Sequence, residues 1–448
     1  MQEEHNDLLE LLLLNTGKSH AETNIYGKFD LSHNPFPKSG TASINISDSL
    51  NKLLVPFDTS VKNTVRNYIY DSLYAKAGNN DKFLSATITG NYGSGKTQLL
   101  LYVKYLLGQA STVKNTDFPY RNPFVVYIDN PGVRLTELIG NIISKIGEED
   151  FKKFIWGKII ADISSDDDYK RQLNVYAPKV GDAIFDNLNK DPFAVENTVN
   201  YKKFLDVFLM YLPVKKKKDF TDALRAIILQ VLQKWKNDST ISNYFYDLTA
   251  EDYGNNKTWE ILSQGSEKAF DKKEVDLLKT VVELVESQGF TDFYILVDEF
   301  EDLTEGRLSK TELDNYLRNL RTLIDQNRNW CPIFAMTDEA LKKVRSVSPP
   351  LADRLTNRLI QLRGFDDNQA EYISTMYLNL ARDDKSVYYN SLHPFTKDSI
   401  ETLRKLVGAN LRLYLKTSFE LIERGIERFS TQQTLIESEF IQANFTDK

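Results

Sequence analysis

The segment GNYGSGKT, residues Gly90–Thr97, decides the fold. It fits the pattern G-x-x-x-x-G-K-[ST], follows the apolar, β-branched run FLSATIT and precedes the helical pattern QLLLYVKYLL. Glycines let such a loop turn tightly and point its amide N–H groups at phosphate oxygens, and the N-terminus of the following helix adds positive potential. The sequence therefore predicts a phosphate-binding loop, between a strand that ends at Thr89 and a helix that begins at Lys96.

Two residues of this loop have predicted chemical roles. Lys96 would reach the β- and γ-phosphates of a nucleotide, and the hydroxyl of Thr97 would ligate Mg²⁺. A glycine-rich turn without a ligand is the alternative. The residues predicted to bind the nucleotide are Gly90, Asn91, Tyr92, Gly93, Ser94, Gly95, Lys96, Thr97 and Gln98.

An acidic pair follows a second apolar strand. In FYILVDEFEDL, Asp298 and Glu299 come directly after an unbroken apolar run. Parallel sheets present ligand-binding residues at the carboxyl ends of their strands. We therefore expect Asp298 to hold the Mg²⁺ shell and Glu299 to polarise a water for attack on the γ-phosphate. Acidic residues after a strand are also common in solvated loops. The phosphate loop earlier in the chain is what favours a functional role for this pair.

The composition is that of a soluble globular protein of two or three domains. The chain has 448 residues and a net charge of -7, which disfavours a broadly basic surface but not DNA held in a local channel. A single cysteine, Cys331, and four scattered histidines predict no structural metal. The apolar run Leu8–Leu14 is too short to span a membrane and is interpreted as an amphipathic interaction helix, which predicts a cytoplasmic protein.

Periodicity divides the chain into five segments. Strand patterns alternate with helical patterns on both sides of a central region, which predicts an α/β fold with a parallel sheet. The central region is rich in aromatic residues and lysine and has helical periodicity only, so it is interpreted as an insertion. The predicted segments are an N-terminal arm with a short helix (1–60), the first part of the core (61–150), the helical insertion (151–271), the second part of the core (272–364), and a helical lid with C-terminal helices (365–448).

Taken together, these motifs resemble the AAA+ ATPases. The chain is most similar to the branch that contains replication initiators, transposition-regulating ATPases and STAND signalling ATPases, because HNPFPKSG and a helix from Val61 precede the loop. The resemblance covers about 60–145 and 276–425 and leaves the insertion out. It implies a P-loop NTPase (AAA+) core with a helical lid, and ATP and Mg²⁺ as cofactors.

The resemblance also assigns weaker motifs. In CPIFAMTDEAL, Thr337 matches the sensor that hydrogen-bonds the γ-phosphate or the attacking water, Asp338 is the competing residue, and a simple helix cap is the alternative. In PPLADRLTNRLIQLRGF, Arg358 best matches an arginine finger donated to a neighbouring subunit, followed by Arg354. A solvated helix face that carries these two arginines and Arg363 is the alternative.

The C-terminal region supplies the last predicted site residue. In VGANLRLYLKTSFELI, Arg412 takes the place of the lid arginine that reaches back to the γ-phosphate, and a surface arginine is the alternative. Replication initiators usually continue into a winged-helix domain and STAND proteins carry fused effector and sensor domains. We expect neither here.

The insertion carries two further patterns. The run VKKKKD places Lys215–Lys218 side by side, where they would either contact nucleic-acid phosphates or form a solvated helix edge. FKKFIWGKII interleaves aromatic and basic residues, which fits base stacking or an aromatic face that packs inward.

The predicted function is an ATP-hydrolysing assembly switch. It would form a homo-oligomer through the arginine finger, act with a separate protein partner, and associate with DNA in replication, transposition or defence against mobile DNA, without a membrane. The alternative is a STAND-like signalling ATPase whose oligomerisation responds to ATP alone, and a structural ATP-binding subunit with slow turnover is a third possibility.

Overall fold

The fold is organised around a five-stranded sheet whose paired strands are all parallel. The computed structural model describes residues 24–40, 59–75, 83–112, 119–176, 193, 195–210, 212–236, 238–250, 255–265, 273–408, 410–429 and 435–445. The strands are β1 (Ala86–Thr89), β2 (Pro123–Ile128), β3 (Asp292–Val297), β4 (Cys331–Met336) and β5 (Leu359–Gln361), and their order across the sheet is β2-β3-β4-β1-β5.

Helices make up most of the remaining described chain. In chain order they are α1 (Thr59–Tyr70), α2 (Lys96–Gln109), α3 (Leu135–Ile146), α4 (Glu148–Ser165), α5 (Asp167–Asn174), α6 (Tyr201–Leu209), α7 (Val214–Trp235), α8 (Ser239–Ala250), α9 (Asn255–Gln264), α10 (Glu274–Ser287), α11 (Lys310–Gln326), α12 (Asp338–Val347), α13 (Pro349–Leu355), α14 (Asp367–Leu380), α15 (Lys397–Val407), α16 (Leu411–Arg428) and α17 (Ser438–Asn444). Short 3₁₀ turns cover Ile25–Phe29, Ala110–Thr112, Val195–Asn197 and Phe300–Leu303, and a π-helical turn covers Asp71–Ala75.

Two compact units account for these elements. The sheet unit comprises Thr59–Gly90 and Leu99–Gln361. The C-terminal unit comprises Asn91–Gln98 together with the described residues up to Asp58 and from Leu362 onward. The phosphate-loop residues therefore group with the C-terminal helices, and the strand that leads into the loop groups with the sheet.

The insertion shares the hydrophobic core of the sheet unit. Buried side chains of α4 and α7, such as Phe151 and Phe220, belong to the same apolar cluster as Ile295 and Phe334 of the sheet. The described residues of 151–271 form helices and turns with no strand, which confirms the helical interpretation of that region. Because the core is continuous, the insertion is built onto the sheet unit.

Two glycines permit a close approach between the insertion and the helix that follows β2. A Cβ atom on Gly140 of α3 would lie 2.5 Å from the backbone nitrogen of Gly265, which follows α9. A Cβ atom on Gly265 would lie 1.9 Å from the carbonyl oxygen of Thr136. Separations under 3 Å between such atoms are not tolerated, so the contact requires glycine on both sides.

The C-terminal unit has its own apolar cluster. Phe29, Leu31 and Phe36 of the N-terminal segment pack among buried residues of α14–α17. Asn34, in the NPF-like segment, donates to Phe419 O at 3.1 Å and to Glu423 Oε1 at 2.7 Å. The described part of the N-terminal arm is thus fixed to the C-terminal helices.

Local sequence patterns predict most of these elements. The strands before the phosphate loop and before the acidic pair, which end at Thr89 and Val297, and the helix that begins at Lys96 are confirmed. The strand in CPIFAMT was expected to end at Thr337 and instead ends at Met336, because Thr337 caps the next helix. The short strand β5, Leu359–Gln361, was not predicted, because a three-residue strand among arginines has no periodic signal. The interaction helix predicted over Leu8–Leu14 lies outside the described residues, and the five-segment division stays a prediction.

Replacing Gly140 with alanine tests the contact between α3 and the insertion. We expect Gly140→Ala to lower the free energy of unfolding by about 1–3 kcal/mol, because the new methyl group meets backbone rather than a mobile side chain. Gly108→Ala is the control, since a Cβ there meets nothing within 4 Å, and it should be neutral or stabilise α2 by up to about 1 kcal/mol. Urea denaturation measures both changes, and an unchanged stability for Gly140→Ala would contradict the packing.

Candidate nucleotide-binding site

Three strand ends meet at one edge of the sheet. Strand β4 lies between β1 and β3, with Thr89 opposite Met336 and Val297 opposite Phe334. The residues that follow these strands therefore leave from the same carboxyl edge, within about 10 Å of one another across two strand spacings. Gly90, Asp298 and Thr337 occupy those positions.

Asp298 is buried and held in one orientation. Its side chain is 4% exposed and accepts hydrogen bonds from the Tyr127 hydroxyl at 2.9 Å and from the Glu299 backbone N–H at 2.9 Å. Its own N–H donates to Ile128 O at 2.8 Å and so extends the β2–β3 ladder. Burial, followed by the charge of Asp298, raises the pKa of Tyr127, so the phenol stays protonated and donates. The carboxylate is thus positioned before any ligand binds.

Glu299 has an unusual backbone conformation. Its φ and ψ are 49° and 35°, in the left-handed region that few residues other than glycine adopt. Strained conformations of this kind concentrate at functional sites. The residue is exposed overall, but its carboxyl group is partly buried. This partial burial, followed by the charges of Asp302 and Asp298, raises the pKa of Glu299 above its ordinary value. A carboxylate whose pKa lies nearer neutrality is a better acceptor for a proton from water.

A second acidic side chain supports that shift. Asp302 accepts from the Asn130 side chain at 2.8 Å and pairs with Arg307 at 2.8 Å. The negative charge of Asp302 therefore stays fixed near Glu299 and favours the protonated form of that carboxyl group, while Arg307 opposes this effect.

Thr337 follows β4 and caps the next helix. It is 5% exposed, and its hydroxyl accepts a hydrogen bond from Ala340 N at 3.1 Å as the N-cap of α12. A hydroxyl that accepts in this way keeps its own proton to donate. The helix-cap interpretation is therefore correct, and it is compatible with the sensor role. Asp338, the competing residue, is the first residue of α12 and is half-buried.

The phosphate loop has the conformation that its glycines predict. Gly93 and Gly95 have φ angles of 73° and 94°. Lys96 is 8% exposed; its ammonium group lies 3.4 Å from Asn91 O and 5.4 Å from the centre of the Tyr92 ring. The Ser94 hydroxyl is buried and makes no hydrogen bond with the described residues. A tight loop with an unsatisfied hydroxyl and a lysine fits an anionic ligand with several oxygen atoms.

Within the C-terminal unit the start of α16 touches this loop. The N–H of Arg412 donates to Gly93 O at 3.2 Å, and a Cβ atom on Gly93 would lie 2.0 Å from Asn410 Oδ1. Asn410 caps α16, since its side chain accepts from Leu413 N at 3.0 Å. The structure thus places the predicted lid arginine on the helix turn that contacts the loop, with its side chain exposed.

The predicted arginine finger has a partner within its own chain. Arg358 pairs with Asp71, which begins the π-helical turn, at 2.8 Å, and both side chains are substantially exposed (47% and 33%). Arg354 pairs with Asp325 and donates to Pro350 O at 2.8 Å. Both arginines belong to the sheet unit, whereas Arg363 is an exposed residue of the C-terminal unit.

The donors available for a metal fit Mg²⁺ bound together with phosphates. Among the described residues no group of three or more His, Cys, Asp or Glu side chains forms a metal cage. Magnesium is usually held by one or two protein oxygens, phosphate oxygens and water. Asp298, in the sheet unit, and Thr97, in the C-terminal unit, each have an oxygen donor of that kind.

Three supporting residues were not predicted from the sequence. Tyr127 orients Asp298, Asp302 acts on Glu299, and Asp71 holds Arg358. Tyr127 and Asp71 lie far along the chain from their partners and belong to no motif. Asp302 is visible in FEDL, but its effect depends on the 3₁₀ turn Phe300–Leu303.

The sheet and the loop together settle the fold. The chain has an α/β P-loop NTPase fold. No protein-family model and no curated protein matches the sequence. Eighteen chains of solved structures match this chain. One is the crystal structure of Cdc6p from Pyrobaculum aerophilum, at 12% identity and a TM-score of 0.35. The match covers 85% of this chain and 65% of that one. A similarity this low assigns no role to any residue of this chain.

No described helix of this P-loop NTPase has both the length and the apolarity that crossing a bilayer requires.

Removing the Tyr127 hydroxyl tests the orientation of Asp298. We expect Tyr127→Phe to lower the free energy of unfolding by about 1–3 kcal/mol, because a buried carboxylate loses a hydrogen-bond donor. Tyr120→Phe is the control, since Tyr120 is 64% exposed and its replacement should leave stability unchanged. Equal denaturation midpoints for the two variants would contradict the assigned contact.

Proposed function

We propose that the chain is a Mg²⁺-dependent AAA+ ATPase that acts as a nucleotide-driven assembly switch. The main support for this proposal is the acidic pair Asp298 and Glu299. Asp298 is buried and fixed by Tyr127, while the next residue, Glu299, is exposed in a left-handed conformation with a raised pKa. Adjacent carboxylates with such different environments fit two roles, one that holds a metal and one that accepts a proton.

The phosphate loop supplies the binding half of the function. Its amide groups and Lys96 would hold the phosphates of ATP, with Thr97 and Asp298 as ligands of Mg²⁺. Bound Mg²⁺ would neutralise phosphate charge and help to orient the transferred group. The unsatisfied Ser94 hydroxyl and the left-handed Gly93 and Gly95 support an anion at this loop.

Hydrolysis requires a base and donors for the charge that develops on the γ-phosphoryl group. Glu299 would accept the proton of the attacking water, and Thr337 would donate its hydroxyl proton to that water or to a phosphate oxygen. Arg412 would act from the start of α16. Its backbone N–H bonds to Gly93 of the loop, so a change in the loop on nucleotide binding would be felt directly by this helix.

Assembly would complete the site. Arg358 would be donated to a neighbouring subunit, where its charge would stabilise the transferring phosphoryl group. In the single chain this guanidinium is paired with Asp71. Exchange of an exposed ion pair costs little, since such pairs contribute about 0–1 kcal/mol. Arg358 therefore suits the role because assembly would replace one anionic partner by another.

The biological role that we favour is DNA-associated work with a separate partner enzyme, in the replication-initiator and transposition-ATPase branch. The insertion supports it, since helices built onto a rigid sheet unit commonly carry specific contacts. ATPase activity stimulated by duplex DNA and lost at high salt would favour this role over the STAND-like switch. Assembly driven by ATP without nucleic acid would favour the switch.

Two substitutions separate binding from turnover. We expect Lys96→Ala to abolish ATP binding, because the loop loses its only ammonium group. Glu299→Gln should bind ATP with nearly unchanged affinity and hydrolyse it at least about 100-fold more slowly. Equilibrium binding of a fluorescent ATP analogue and phosphate release measure the two effects.

The matched control for this pair is Glu305→Gln, which neutralises an exposed carboxylate outside the site and should leave both measurements unchanged. Normal phosphate release by Glu299→Gln would remove Glu299 from its assigned role.

Mixing variants tests whether Arg358 acts between subunits. Arg358→Ala alone should lose at least about 100-fold in ATPase rate. Adding Lys96→Ala, which has an intact Arg358 but no functional loop, should restore part of the activity. Steady-state phosphate release measures the recovery. The double variant Lys96→Ala/Arg358→Ala is the control and should restore nothing, and full activity of Arg358→Ala alone would exclude the role.

A further inference from the structure

The first turn of α7, Val214–Lys217, is unusually basic for the start of a helix. Lys215–Lys218 are consecutive, and all except the half-buried Lys217 are exposed. Helix N-termini carry positive potential, so acidic residues are favoured there and lysines are disfavoured. This turn contains no acidic residue, and its N-cap, Pro213, makes no side-chain capping bond.

The two helices that precede α6 show the ordinary pattern. Helix α4 begins with Glu148, Glu149 and Asp150, and α5 begins with Asp167 and Asp168. Helices α6 to α9 have no acid in their first turns. The first turn holds two lysines in α6, three in α7, none in α8 and one in α9, so the start of α7 is the most basic of the four.

No carboxylate among the described residues neutralises the four lysine charges. Within the described part of the chain none of Lys215–Lys218 pairs with a carboxylate at 4 Å or less. Other lysines of the insertion do pair, such as Lys152 with Glu148 and Lys158 with Asp162. Because the whole chain has a net charge of -7, this turn is a local positive feature on an acidic protein.

Helix geometry places the three exposed lysines on one side of α7. Successive residues step by 100°, so Lys215, Lys216 and Lys218 lie within an arc of about 160°, whereas the half-buried Lys217 lies on the other side. Their Cα–Cβ bonds tilt toward the N-terminus of the helix. A duplex carries one phosphate charge per about 1.7 Å of its axis, so several phosphates would lie within reach of these three side chains.

We infer that the turn Val214–Lys218 is a sequence-independent contact site for the phosphate backbone of duplex DNA. Lysine is a mobile point charge suited to phosphates and lacks the planar, bidentate geometry that arginine offers to bases. Pro213–Lys218 contain no aromatic residue, so this turn offers no stacking platform for single-stranded bases. The inference rests on the proposed DNA association and gives it a surface outside the nucleotide-binding residues.

A triple substitution tests the site. We expect the full-length variant Lys215→Ala/Lys216→Ala/Lys218→Ala to bind a fluorescent duplex of about 30 base pairs at least tenfold more weakly at low salt. The slope of log affinity against log salt concentration should fall by about 2–3, roughly one unit for each lost phosphate contact. Fluorescence anisotropy between about 50 and 200 mM salt measures both quantities.

A matched control removes the same charge elsewhere. The variant Lys257→Ala/Lys279→Ala/Lys342→Ala takes three exposed lysines from other helices and should keep both the affinity and the slope. The test variant should melt at the same or a higher temperature than the unaltered protein, because it loses like charges at the positive end of α7. A lower melting temperature would show that these lysines serve stability, and would overturn the inference.

The remaining outcomes each decide the question. If both triple variants lose the same affinity for the duplex, the inferred phosphate site is wrong. The same conclusion follows if the unaltered protein binds polyglutamate as tightly as the duplex, or if it binds no duplex at all.

Phosphate release from ATP without DNA is measured in parallel, to separate this inference from the proposed ATPase function. If the unaltered protein hydrolyses ATP but binds no duplex, the inference fails while the ATPase proposal stands; if it does not hydrolyse ATP, the proposed function itself fails.

Discussion

The parallel pairing of β1, β4 and β3 is the constraint on which the site depends. Because β4 separates the strand of the phosphate loop from the strand of the acidic pair, Gly90, Thr337 and Asp298 all leave from one edge of the sheet. The three segments are far apart along the chain. Only the strand order brings them together, so the chemistry proposed here is a consequence of sheet topology.

The difference in burial between Asp298 and Glu299 suits these adjacent carboxylates to different roles. Asp298 continues the β2–β3 ladder through its N–H and is locked by Tyr127, which suits a fixed metal ligand. Glu299 departs from the strand in a left-handed conformation, and Asp302 helps to raise its pKa. An exposed carboxylate, that of Glu299, thus directly follows the buried carboxylate of Asp298.

Sequence patterns predict the strands and the loop because these have strong local signals. Apolar runs followed by GNYGSGKT or by Asp298 and Glu299 leave little ambiguity. The supporting partners are different, since Tyr127 and Asp71 act on residues far along the chain and only packing reveals them. The roles of Thr337, Arg358 and Arg412 stay predictions. The structure places them at a helix cap, in an exposed ion pair, and on the helix turn that contacts the loop.

The insertion joins the core of the sheet unit through close contacts such as that of Gly140 with Gly265. We propose that the loop and the acidic pair make an ATPase. This proposal is tested most directly by phosphate release from ATP by the unaltered protein, with Mg²⁺ and with the metal chelated, alongside direct ATP binding. We expect the protein to bind ATP and to release phosphate only when Mg²⁺ is present. Failure to bind ATP at saturating Mg²⁺ would contradict this proposal.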